Sequence, residues 1–129
     1  MEKELENRLN ELVHRISKLK FVSAVFLFGS QIKGKPRKDS DVDIAVIIDK
    51  PTRERELKVI GMGSDLFDIS ILSKLPITIQ FRVIKEGKLI FIRDEKAIHN
   101  AKIRILREYL DYSVFLNKFY RRMLSNVRH

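Results

Sequence analysis

Phe28-Gly29-Ser30, the loop Gln31-Ile32-Lys33-Gly34-Lys35-Pro36-Arg37-Lys38-Asp39-Ser40, and Asp41-Val42-Asp43-Ile44 form one continuous stretch of the chain. Upstream of Gly29, residues 22–28 are nearly all apolar and rich in β-branched and aromatic side chains, which predicts a strand buried on both faces. Downstream, residues 41–48 alternate. Val42, Ile44, Val46 and Ile48 point to one side and Asp41, Asp43, Ala45 and Ile47 to the other, which predicts a second strand. The segment between them is polar and basic and contains Gly34 and Pro36, so beyond one possible helical turn at its start it reads as a loop.

Each part of this stretch has a physical task. A glycine after a buried strand lets the backbone turn sharply and approach a ligand closely, and Ser30 offers an N–H and a hydroxyl to phosphate oxygens. Asp41 and Asp43, at i and i+2 on a strand, project to the same side, where they can share hard cations bound to phosphate. That arrangement suits two-metal phosphoryl transfer, with magnesium as the expected metal. Lys33, Lys35, Arg37 and Lys38 are candidates to neutralise a triphosphate or its leaving group, and a solvated basic loop is the plainer reading of the same residues.

A third carboxylate comes from the next predicted strand, residues 66–72. There Phe67, Ile69 and Ile71 share one face, which puts Asp68 on the other, while Asp65 has the parity of the apolar set. Asp68 is therefore the candidate to position or deprotonate an attacking hydroxyl. If this strand lies beside the second, Asp41, Asp43 and Asp68 form one acidic cluster that calls for divalent cations. A lone Asp-x-Asp or Gly-Ser is common and means little; it is their joint occurrence, in order and in strand context, that points to a phosphoryl-transfer site.

The remaining elements follow from periodicity. Leu5, Leu9, Leu12, Ile16 and Leu19 predict an amphipathic helix over 2–20. A short helix is expected from Thr52, as N-cap, to Ile60, ended by Gly61 and Gly63. Residues 76–86 fit both a strand and a helix, and the helix is preferred because Ile77, Phe81 and Ile84 share a face that ends at Gly87. A short strand over 89–92 leads to Asp94, which caps a helical region reaching about residue 127. One helix of that length measures about 50 Å, longer than a compact chain of this size, so it should break or project, with Asp111-Tyr112-Ser113 the candidate break. Its Tyr109, Tyr112, Phe115, Phe119 and Tyr120 either cover the sheet or dock a partner.

The 129 residues suffice for a single domain, taken here as a core over 1–93 with a helical extension over 94–129. The absence of cysteine excludes disulfides, thiolate metal sites and a cysteine nucleophile, so any metal must be held by oxygen or imidazole. His14, His99 and His129 are scattered and read as ordinary helix or tail residues. No stretch is long enough to span a bilayer and the N-terminus lacks the features of a secretory signal, so a cytoplasmic protein is expected. A net charge of +9 suggests an anionic partner, which a nucleotide, a nucleic acid or an acidic protein would each satisfy.

Hydrophobic-Gly-Ser followed by Asp-hydrophobic-Asp-hydrophobic resembles the signature of the polymerase-beta nucleotidyltransferase superfamily. Gly34, Ser40-Asp41, Phe67-Asp68-Ile69, Glu86-Gly87-Lys88-Leu89 and Arg107-Glu108-Tyr109-Leu110-Asp111 further resemble the minimal nucleotidyltransferases, including MntA-type antitoxins paired with HEPN ribonuclease toxins. The resemblance implies an α/β (α+β) fold, a mixed β-sheet with helices packed against it and a C-terminal helical extension. It implies AMP transfer from ATP to a toxin tyrosine with release of pyrophosphate. Gly29, Ser30 and Lys33 would hold the nucleotide, Asp41 and Asp43 two magnesium ions, and Asp68, a further metal ligand, would activate the acceptor hydroxyl. Where such loops often carry arginine shortly after Gly-Ser, this chain has Gln31, Ile32 and Lys33, and a lysine keeps the charge without the bidentate fork.

The expected partner is a HEPN-type toxin bound through the C-terminal helical region, and a homodimer is compatible with the same surface. Two rivals stand beside this reading. One is an antitoxin that masks its toxin without catalysis; the other is a nucleotidyltransferase acting on RNA or on a small molecule such as an aminoglycoside. A nucleic-acid acceptor is the less favoured, because such enzymes usually add domains for which this chain has little room.

Overall fold

The structure is a computed structural model that describes residues 3–29 and 42–127. Its elements in order are α1 (Lys3–Ser17), β1 (Val22–Phe28), β2 (Val42–Ile48), α2 (Arg53–Ile60), β3 (Phe67–Ile71), a 3-10 turn at Leu72–Lys74, α3 (Ile77–Glu86), β4 (Lys88–Ile92) and α4 (Glu95–Val127). The strands form one mixed sheet in the order β3-β2-β1-β4, with β1 antiparallel to both β2 and β4, and β2 parallel to β3.

The alternation in β2 divides the core between the two faces of the sheet. Val42, Ile44, Val46 and Ile48 pack with Val25 and Leu27 of β1, Phe67, Ile69 and Ile71 of β3, Leu9, Leu12 and Ile16 of α1, and Val59 of α2. On the other face Ala24, Phe26 and Ala45 pack with Val83 of α3 and with Ile98 and Ile105 of α4. β1 lies between two strands and under helices on both sides, which is why its apolar run has almost no polar interruption. The pairing of β2 with β3 requires a crossover, and α2 supplies it by burying Val59 on the first face.

Local chemistry fixes the ends of these elements. Thr52 Oγ1 accepts a hydrogen bond from the Arg55 N–H at 3.2 Å and caps α2. Asp94 Oδ1 accepts from the N–H groups of Lys96 and Ala97 at 3.0 and 3.3 Å and caps α4. The segment after Pro76 is helical, as its apolar face ending at Gly87 implies. Arg93 donates from its guanidinium to the carbonyls of Ser17, Leu19 and Val22, tying the end of β4 to the turn between α1 and β1.

α4 corrects one expectation. No break occurs at Asp111-Tyr112-Ser113, and the helix runs 33 residues without interruption. The physical reason is in the sequence: residues 95–127 contain neither glycine nor proline, so nothing interrupts the succession of i to i−4 hydrogen bonds. The helix resolves the conflict of length by projecting. Up to Tyr109 it packs on the sheet and α3; beyond that point most of its side chains are exposed.

Candidate active site

Gly29 ends β1 with a φ of +92°, a conformation that L side chains rarely adopt. Phe28, just before it, is paired across the antiparallel ladder with Asp43 of β2. The chain turns at Gly29 so close to Asp43 that a Cβ built on the glycine would overlap Asp43 Oδ2. Glycine is required here on two counts, the backbone angle and the space occupied by the carboxylate.

Asp43 is in turn the direct register partner of Asp68 in the parallel β2–β3 pair. Both residues sit between members of the first core cluster, Asp43 between Val42 and Ile44 and Asp68 between Phe67 and Ile69. Their side chains therefore emerge on the opposite face, the one that carries Ala45. Asp43 is half-buried and Asp68 exposed. Adjacent strands lie about 4.8 Å apart, so two like charges start from neighbouring positions on one surface. Oxygen donors placed in this way suit a hard divalent cation.

Asp65 lies outside this arrangement. It precedes β3 in a turn in which the Ser64 hydroxyl accepts from the N–H groups of Leu66 and Phe67, at 3.2 and 3.3 Å. Ser30, Lys33 and Asp41, together with the rest of the basic loop, lie outside the described residues. Asp41 is adjacent in sequence to Val42, whose N–H donates to the Leu66 carbonyl at 2.7 Å, where β2 begins beside β3. Among the described residues no three histidine or carboxylate groups come together as a metal site, so Asp43 and Asp68 are the described part of the candidate set.

Two polar side chains that orient the helical cover have no distinctive signal in the sequence. Gln80 of α3 is only 4% exposed, and its amide donates to the Leu75 carbonyl at 2.7 Å while its carbonyl accepts from Arg104 of α4 at 3.1 Å. Arg104 also contacts Glu108 at 3.2 Å. This chain of contacts, with the stacked pair Phe81 and Tyr109, sets α4 against α3 on the same face of the sheet as the two aspartates.

A family model described as "Polymerase beta, Nucleotidyltransferase" matches residues 10–96, a span that takes in the second half of α1, all four strands and the Gly29, Asp43 and Asp68 positions. The chain belongs to the polymerase beta nucleotidyltransferase family. As a member of that family it is a nucleotidyltransferase, and the four-stranded mixed sheet with flanking helices is its version of the family fold.

Among relatives, this nucleotidyltransferase is 31% identical over 100 residues to MJ1547 of Methanocaldococcus jannaschii, a proposed protein adenylyltransferase, covering 76% of this chain and 80% of that one. Among solved structures, a chain of a toxin–antitoxin complex with AMP-PNP superposes with a TM-score of 0.66 at 18% identity, covering 92% of this chain and 98% of the other. A chain from the complex of tri-AMPylated Shewanella oneidensis HEPN toxin with MNT antitoxin gives a TM-score of 0.64 at 16% identity, covering 96% and 99%. At these identities the structural matches establish the fold. No helix among the described residues is long and apolar enough to cross a membrane.

Proposed function

We propose that this nucleotidyltransferase is a protein adenylyltransferase antitoxin, transferring AMP from ATP to a tyrosine hydroxyl of a HEPN-type toxin. The observation that carries the reading is the in-register pair Asp43 and Asp68, set beside the turn at Gly29 on the sheet face they share. The similarity to a proposed protein adenylyltransferase supports protein as the acceptor, and the fold shared with a chain of the complex between an AMPylated HEPN toxin and an MNT antitoxin supports the partner.

In the proposed reaction the acceptor oxygen attacks the α-phosphorus of ATP, forming a new O–P bond. The bond from that phosphorus to the bridging oxygen breaks in line, and pyrophosphate leaves. Asp68, the more exposed of the two aspartates, takes the acceptor's proton. Gly29 lets the backbone come close to the triphosphate, and Ser30 and Lys33 bind its oxygens. Magnesium, with Asp41, Asp43 and Asp68 as the residues to hold it, would neutralise charge on the reacting phosphates.

The test is transfer of label from α-labelled ATP, with magnesium, to a co-expressed HEPN-type protein encoded beside this chain. Label on tyrosine that disappears with Asp41→Asn plus Asp43→Asn supports the reading. Toxin neutralisation that persists in that variant without any label would instead assign neutralisation to masking, and label on RNA but on no protein would move the acceptor to nucleic acid.

A further inference from the structure

The face of α4 that packs on the body continues where the body stops. Ile98 and Ile105 lie in the core with Ala24, Phe26 and Ala45, and Tyr109 stacks on Phe81 with ring centroids 4.0 Å apart. In steps of three and four residues the same stripe runs on through Tyr112, Leu116, Phe119 and Met123. Tyr112, Phe119 and Met123 are exposed, and so are Phe115, Tyr120 and Leu124 beside them, Phe115 by 63%. Three of the rings are already in contact: Phe115 with Phe119 at 6.4 Å between centroids, and Phe119 with Tyr120 at 6.0 Å.

A second exposed row, Leu106, Leu110 and Val114, lies on another side of the helix. At 100° per residue the two rows and the residues between them span roughly 220° of the helix circumference. Ser113, Asn117 and Arg121 fall within this arc, and the remaining sector carries Phe115 with Arg107, Asp111, Lys118 and Arg122. A helix lying on a flat surface needs an apolar stripe only a little over 100° wide. An arc twice that width fits a cleft that embraces the helix. Exposed aromatic and aliphatic side chains gathered on one element mark an interaction site.

Charge selects the occupant. Residues 112–127 hold Lys118, Arg121 and Arg122 and no carboxylate. A second copy docked through the same segment would oppose cations with cations, in a chain whose net charge is already +9. A nucleic acid would use the rings and the cations but would leave Leu110, Val114, Met123 and Leu124 without a complementary surface. A protein cleft that is apolar at its centre and lined with carboxylates at its rim matches both features.

We propose that the projecting half of α4 is the docking element of this protein, and that it inserts into an apolar, carboxylate-rimmed cleft of the HEPN-type partner. The proposal rests on the reading that such a protein is the acceptor, and it adds the surface and the chemistry by which that partner is held.

The test uses the full-length chain and the HEPN-type protein encoded beside it, with affinity measured by calorimetry. Phe115→Ser, Phe119→Ser and Met123→Ser together replace exposed side chains, so the melting temperature and ATP binding should match wild type. The affinity for the HEPN-type protein should fall 100-fold or more. If wild type binds and this triple variant binds equally well, the docking surface is wrong, whatever label transfer shows. Absence of binding by wild type overturns it too. If wild type binds in an α4-dependent manner but transfers no label, docking stands and the adenylyltransferase reading falls. A wild-type chain that sediments alone as a dimer, with the triple variant a monomer, assigns the stripe to a second copy and overturns the proposal. So does a triple variant that loses retention of total RNA and keeps the HEPN-type protein.

Discussion

The carboxylate of Asp43 lies against the Cα of Gly29, in the space where any other residue would carry its Cβ. A single glycine thereby couples the turn that ends β1 to the orientation of an acidic side chain on β2. Neither residue acts alone, since a side chain at position 29 would push the Asp43 carboxylate out of the position it holds.

Gly29→Ala should therefore damage the site more than the fold. The φ of +92° predicts a cost of about 1–2 kcal/mol in stability for a residue with a Cβ. Displacement of Asp43 should lower label transfer about 100-fold or more, because several kcal/mol of charge stabilisation depends on that carboxylate. Thermal unfolding and transfer kinetics on the same preparation separate the two effects. Wild-type transfer by Gly29→Ala would show that the Asp43 orientation is not needed.

Asp68 and Asp65 are three residues apart and should behave differently. Asp68→Asn should lower transfer about 100-fold or more, whereas Asp65→Asn, in the turn before β3, should leave it within about 2-fold of wild type. Asp68→Asn should leave the melting temperature close to that of wild type, because the Asp68 side chain is exposed. Unchanged stability with loss of transfer marks a functional carboxylate; loss of both would mark a structural one.

How far the sequence discloses this protein depends on the range of each interaction. β1 and β2 are legible because an apolar run and an alternating run are local consequences of burial on two faces and of the period of a strand. The caps at Thr52 and Asp94 are legible for the same reason, since each side chain bonds N–H groups within three residues. The pairing of Asp43 with Asp68 is not local. Parity places Asp68 on the correct face, but its neighbour is set by the parallel crossover through α2. The tie from Arg93 to Leu19 and Val22 spans more than 70 positions and leaves no periodic trace. In α4 the length allows a break or a projection, and the absence of any glycine or proline between residues 95 and 127 leaves projection.

Thr52→Ala should destabilise the chain by about 1 kcal/mol, through loss of the bond to the Arg55 N–H at the start of α2. For a domain of this size that corresponds to a fall in melting temperature of roughly 4 °C. Because α2 packs on the sheet face opposite the two aspartates, label transfer below the unfolding transition should be unchanged. A larger loss of transfer than of stability would connect α2 to the site.

Removing divalent cations should stop transfer without unfolding the protein. Both core clusters are apolar, and the paired aspartates lie at the exposed end of one face, so no described part of the core depends on a metal for its packing. Chelation should leave the far-UV circular dichroism spectrum intact. Adding magnesium back should raise the melting temperature, since an ion that binds only the folded chain stabilises it by mass action. That rise should shrink in Asp43→Asn plus Asp68→Asn, because the oxygen donors are then neutral amides. An equal rise in wild type and in this double variant would place the magnesium elsewhere on the chain, and unfolding by chelator alone would make the metal structural.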